Sequence, residues 1–318
     1  MFRNRGDVVF WIVLGAVLLA GFGVTQTIAN EYYYTAIYAI LQATIMAVAW
    51  NILGGFTGYV NFGSAAFFAI GAYTAVALDK WLGLPMPFLI AASAAVCGLM
   101  GLGVGYLTLR LKGVYFAIAT LAMAIVLETL INNWDYVGAA KGVYILTPEK
   151  VPFFSSYIQL LFIVMLALTL GSIAISRYLN ASRIGRGLAA IRDDEVAAEC
   201  AGVPTLRLKL ISTTLMGAMM GVAGAPYPFF VTFVDPISAF NLFVAVNSIA
   251  MPMIGGTAHW IGPVIGALLV GGAQEVITVT VSSELNVLIV GIMLVLFITL
   301  APQGIVGLVQ KWMKRRKR

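Results

Sequence analysis

Histidine occurs once in this chain and cysteine twice, and only 10% of the residues are charged. One histidine, His259, is too few for a histidine-based metal centre, and it offers little to a catalytic set at a membrane face. Cys97 falls in an apolar run and Cys200 in a charged one, far apart, so neither a disulfide nor a metal-ligand spacing is indicated. Phosphate-binding signatures are missing too. Nothing matches G-x-x-x-x-G-K-[ST], and no G-x-G-x-x-G stands between a strand and a helix. The chain therefore does not bind ATP through a P-loop of its own, and any energy from ATP must come from another polypeptide. No linker or low-complexity stretch divides residues 1–318, which reads as a single domain.

What the chain has instead is apolar length. It is 61% hydrophobic with a mean hydropathy of +0.97, where a soluble domain would carry roughly a quarter charged residues. Spans of about 20 apolar residues are predicted near 8–24, 34–53, 64–78, 87–109, 113–131, 157–175, 210–230, 242–254, 263–280 and 287–301. The third and eighth are short, which brackets the count at 8–10. The expected fold is all-α and polytopic. Met1 to Arg5 and the apolar run after them read as a retained signal-anchor span.

With the N-terminus inside, the N-terminal segment, the even-numbered turns and the tail together hold 16 of the 19 basic residues; only Lys80, Lys141 and Lys150 fall outside. Such asymmetry sets orientation and places both termini in the cytoplasm. It also explains the net charge of +6 as an orientation signal rather than a nucleic-acid face. The basic tail, 302–318, suits the anionic leaflet.

One interior stretch would be refused by lipid: Ser182 to Gly202, with Arg183, Arg186, Arg192, Asp193, Asp194, Glu195 and Glu199. Ser182 can cap a helix on which Ile184, Leu188 and Ile191 share a face. Asp193 or Asp194 could start a second one, and Gly202 before Val203-Pro204 is a stop signal. One helix or two both fit. The surrounding loop, 176–209, is expected to dock a cytoplasmic partner.

Other polar residues lie within or beside spans. Asn51-Ile-Leu-Gly-Gly-Phe-Thr-Gly-Tyr-Val-Asn-Phe-Gly-Ser64 holds Gly54, Gly55, Gly58, Asn61 and Gly63, and it is expected to break the second span and re-enter, which needs cover from protein or a cavity. A second glycine turn at Gly255-Gly256 echoes it, and paired breaks point to a transport pathway. Glu128 and Glu275 are carboxylates toward the outer side, costly in lipid and hence pathway candidates. With Ser64 and Asn247 these residues form the expected translocation set. The polar loop from Asn132 to Ser156 is the natural external docking place.

Four segments carry a family resemblance. Val196-Ala-Ala-Glu-Cys-Ala-Gly202 resembles the EAA…G docking loop of ABC importer permeases, with Val196 where the strict form has glutamate. Asn51 to Tyr73, Leu109-Arg-Leu-Lys-Gly-Val-Tyr-Phe-Ala-Ile-Ala-Thr-Leu121 and Ser182 to Arg192 are similar to the branched-chain amino acid (LIV-type) permeases, over roughly 35–305. The resemblance implies a non-enzymatic translocation subunit of the bacterial inner membrane, with no catalytic residue, metal or cofactor of its own. It also implies two ATP-binding subunits, a second homologous permease as heterodimer partner and an extracytoplasmic solute-binding protein. Docking would fall on Arg192, Glu195, Val196, Ala197, Ala198, Glu199 and Gly202. Gly63-Ser64-Ala65 and Gly255-Gly256-Thr257-Ala258 depart from the family's Gly-His-Ala and Gly-Gly-x-Gly, which keeps urea or short amides open as substrates beside branched-chain amino acids. A secondary transporter is the alternative outside the family.

Overall fold

The computed structural model describes residues 5–27, 30–146, 154–280, 285–300 and 304–316. Its helices run α1 (Arg5–Thr27), α2 (Glu31–Thr57), α3 (Ser64–Leu82), α4 (Met86–Thr108), α5 (Val114–Asn132), α6 (Tyr157–Ala181), α7 (Arg183–Asp193), α8 (Glu195–Cys200), α9 (Thr205–Gly224), α10 (Tyr227–Val231), α11 (Pro236–Ala239), α12 (Leu242–Gly255), α13 (Gly262–Thr280), α14 (Leu285–Leu300) and α15 (Gly304–Arg316). Eight membrane-length apolar stretches are present among the described residues, with α10 continuing α9 and α11 leading into α12; α13 and α14 contribute shorter ones. Together they match the ten predicted positions. The fold is all-α and polytopic.

α2 and α9 form the centre, with 67% of the apolar window of each buried, against 11% for α1 at the edge. Small residues set how close the helices come. A methyl group on Gly101 would lie 2.7 Å from the Thr213 carbonyl, and one on Gly221 would lie 2.6 Å from that of Ser93, so α4 and α9 meet backbone to backbone. Gly98, Gly101 and Gly105 of α4 thus serve packing within the chain. α4 also bonds to α3, Ser93 donating to the Gly71 carbonyl at 2.8 Å and Cys97 to that of Phe67 at 3.2 Å.

The second span is not broken where the glycines predict. α2 continues through Gly54 and Gly55 and ends only at Gly58, whose φ of +80° suits glycine and whose amide donates to the Gly54 carbonyl. Every residue from Thr44 to Thr57 is buried. Packing on all sides outweighs the roughly 1 kcal/mol per glycine that an exposed helix would lose. A break around Pro226 separates α9 from α10.

Two ends are distinct. Lys80 donates to the Tyr136 carbonyl, and a short antiparallel pair, β1 (Val143–Tyr144) with β2 (Phe233–Val234), closes the end predicted to be external. At the opposite end the turns after α2 and α4, the α7–α8 segment and the loop before α13 converge. The loops that the charge pattern assigns to one side do meet.

Candidate coupling site and pathway residues

α6 ends at Ala181, and Ser182 turns the chain. Its hydroxyl donates to the Leu179 carbonyl at 2.7 Å and accepts from the Gly185 amide at 3.1 Å, starting α7. Leu188 and Ile191 are buried against the bundle, as one apolar face requires. At Asp194 the backbone becomes extended and the side chain accepts from the amides of Val196 and Ala197, at 2.9 and 3.0 Å. The segment is therefore two helices, and Asp194 is the cap between them. Gly202, at φ +81°, then turns the chain toward α9.

The two sides of α8 differ. Val196 is 61% exposed, and Ala197 and Glu199 also face outward. Ala198 is buried, and Glu195 points inward. Glu195 accepts from Lys209 of α9 at 2.7 Å and from the Tyr59 hydroxyl at 2.6 Å, with Lys112 at 3.8 Å. Lys209 is only 3% exposed and also donates to Tyr59 at 3.1 Å and to the Leu109 carbonyl at 3.3 Å. Arg192 reaches the Gly55 carbonyl at 3.4 Å. One ion pair and its neighbours thus tie α8 to the ends of α2, α4 and α9. Burial alone would raise the Glu195 carboxyl; hydrogen bonds from Lys209 and Tyr59, then the charges of Lys209 and Lys112, outweigh it and hold it below the usual range. Tyr59 is pushed well up, first by burial and then by Glu195. Beside the helices, a cleft of about 460 Å³ runs between α7 and the start of α9, lined by Arg183, Arg186, Ala190, Gly202 and Leu208 among others.

Of the expected pathway residues, one group comes together. Asn61 accepts from the Gly63 amide at 2.7 Å and donates to the Met216 sulfur at 3.5 Å, while its carbonyl accepts from the Trp50 indole at 2.9 Å. A methyl on Gly63 would meet the Thr120 carbonyl at 2.7 Å. Ser64 and Ser248 share a hydrogen bond of 2.8 Å between α3 and α12. Asn51 is fully buried, with neither side-chain polar atom partnered among the described residues, and packs over Gly55, beside which the Thr257 carbonyl passes. Gly54 lies under the Trp50 ring, and Gly58 against Arg192. Gly255 and Gly256 serve close packing against Gly262, Gly266 and Gly304.

The others stand apart. Asn247 bonds Gln274 at 3.2 Å between α12 and α13. Glu128 on α5 and Glu275 on α13 are half-buried, and neither has a hydrogen bond or ion pair among the described residues. His259 is half-buried, and burial lowers its pKa. Lys209, Tyr59, Lys112 and Ser248 were not singled out in the sequence. The one available signal was a lysine directly bordering an apolar span.

A family model described as the permease component of branched-chain amino acid transport systems matches residues 32–298. The chain is similar to the LivM high-affinity branched-chain amino acid permease of Escherichia coli, 28% identical over 296 residues and covering 85% of this chain and 69% of LivM. It is also similar to a LivH branched-chain permease of Methanocaldococcus jannaschii, 26% identical over 276 residues, 81% of this chain and 86% of the relative. An inward-facing structure of a metal-chelate type ABC transporter shares the fold, with a TM-score of 0.51 at 16% identity, covering 92% of this chain and 98% of the other.

Proposed function

The chain belongs to the permease-component family of branched-chain amino acid transport systems, and from that premise we propose that it is the membrane subunit of a binding-protein-dependent importer of the bacterial inner membrane. Two separate subunits bind and hydrolyse ATP, a second homologous permease completes the pore, and a solute-binding protein delivers cargo on the side of the β1–β2 pair. The cargo is a branched-chain amino acid or a related small polar solute.

The observation that carries this reading is the two-sided α8. Val196, Ala197 and Glu199 face out to a partner, while Glu195 is locked inward to buried Lys209. ATP-driven movement of the docked subunits pushes α8, and the Glu195–Lys209–Tyr59 knot passes that movement to α9 and to the α2–α3 turn that holds Asn61 and Ser64. The test is co-purification. ATPase subunits should copurify with the intact permease, and Val196→Asp or Ala197→Trp should abolish that while the protein still inserts. Solute uptake into vesicles lacking ATP and any ATPase would end this reading in favour of a secondary transporter.

The uncharged Ser64–Ser248 pair, in the Gly63-Ser64-Ala65 turn that departs from the Gly-His-Ala pattern of the family resemblance, supports a second reading, with urea or a short amide as cargo. Thermal-shift screening of the matching binding protein separates the two: stabilisation by leucine, isoleucine or valine supports the first, and by urea or an amide the second.

A further inference from the structure

At the basic end of the bundle, α1, α6 and the start of α7 enclose a cavity of about 770 Å³, lined by Asp7, Phe10, Trp11, Arg177, Tyr178 and Arg183 among others. Nothing in the coupling knot or the polar pathway uses it. Arg177 is held rigidly there. One of its terminal nitrogens donates to the Asp7 carboxylate at 2.9 Å and to the Gly6 carbonyl at 3.3 Å, and its guanidinium stacks over the Phe10 ring at 4.0 Å. Its Nη1 and Nε hydrogens have no partner among the described residues. Arg183 likewise has no hydrogen bond or ion pair among them. Two cations therefore face one carboxylate, leaving a net positive cavity that suits an anion and a planar fork that suits phosphate oxygens.

The setting decides which anion. The cavity sits at the cytoplasmic ends of α1 and α6, and α1 is the least buried of the spans, so the cavity opens toward lipid. Trp11 is 45% exposed and Tyr178 69% exposed, the amphipathic rings found at headgroup level. Ala174 and Ile175 continue the lining along α6 on its apolar side. We propose that this cavity holds the phosphate headgroup of an anionic phospholipid of the cytoplasmic leaflet, with Arg177 and Arg183 as its ligands. The capping residue of α7, Ser182, also lines it, so a bound lipid braces the point from which the docking segment starts.

The inference rests on the membrane setting alone, independent of the cargo. It is tested on the full-length permease, purified with whatever subunits accompany it. Native mass spectrometry after exchange into detergent doped with phosphatidylglycerol or phosphatidylcholine should show retained phosphatidylglycerol. Arg183→Gln should lower that retention roughly fivefold, the factor for one juxtamembrane cation. Arg110→Gln, which removes the same charge from another cytoplasmic border, should leave it unchanged. In the unsubstituted protein, photoactivatable phosphatidylglycerol should crosslink to α1 near Trp11 or to α6 near Tyr178. Equal loss in both arginine variants, equal retention of phosphatidylcholine, or crosslinks confined to other helices would overturn the proposal. Protection by inorganic phosphate as strong as by phosphatidylglycerol would overturn it as well, since the site would then serve a soluble anion.

Discussion

A lysine 3% exposed, inside the first turns of a membrane span, is costly unless its charge is matched. Glu195 matches it at 2.7 Å, and Tyr59 closes the triangle. Removing one partner leaves the other buried and alone, so Lys209→Met and Glu195→Gln should each lower unfolding stability by about 3 kcal/mol. The double variant should cost much less than their sum, which a thermal-unfolding cycle on the purified protein measures. Acid should act in the same direction. The folded-state pKa of Glu195 is depressed, so the knot contributes fully above the ordinary carboxylate range and its contribution is lost as pH falls through the lower folded value. Stability should thus fall less steeply with acid in Glu195→Gln than in the unsubstituted chain. Glu195 was legible in the sequence as a charge flanking the docking motif. Its partners were not, because Tyr59 lies 136 residues away and only the folded bundle brings it near.

The helices were legible because an apolar run of membrane length has few alternatives. All ten predicted spans lie where helices form. Glycine was harder to read, since the same residue can break a helix or let two helices touch, and only the neighbour decides. In α4 the neighbour is α9, and it covers Gly101 but not Gly103, around which nothing lies within 4 Å. Gly101→Leu should therefore prevent folded protein from accumulating in membranes, whereas Gly103→Leu should accumulate normally, as detergent-solubilised yield and size-exclusion profile would report. The same logic explains the error at Gly54 and Gly55: loop composition pointed to a break, but burial on all sides keeps α2 helical to Thr57. The division of the docking segment in two hung on one side chain. Either aspartate could have capped a second helix, and the backbone selects Asp194, whose carboxylate takes two amide hydrogens.

Across the whole molecule, the proposed docking face and the proposed transmission face are opposite sides of one six-residue helix. A partner would meet Val196, Ala197 and Glu199, while the bundle is reached through Glu195, Ala198 and the Thr205 hydroxyl, which donates to Glu199 at 2.5 Å. Binding and coupling should therefore separate by mutation. In Lys209→Met the outer surface is untouched, so ATPase subunits should still copurify. The inner lock should be lost, however, so that on the proposed mechanism movement of α8 would no longer carry α9 and the Asn61–Ser64 turn with it. In proteoliposomes this variant should hydrolyse ATP at near its basal rate while uptake, and stimulation of hydrolysis by loaded binding protein, fall at least tenfold. Lys209→Arg, which keeps the charge and can still reach Glu195, should recover part of both. If Lys209→Met transported normally, force would have to pass through the apolar contacts of α7 alone, and the knot would be a stabilising pair with no part in coupling.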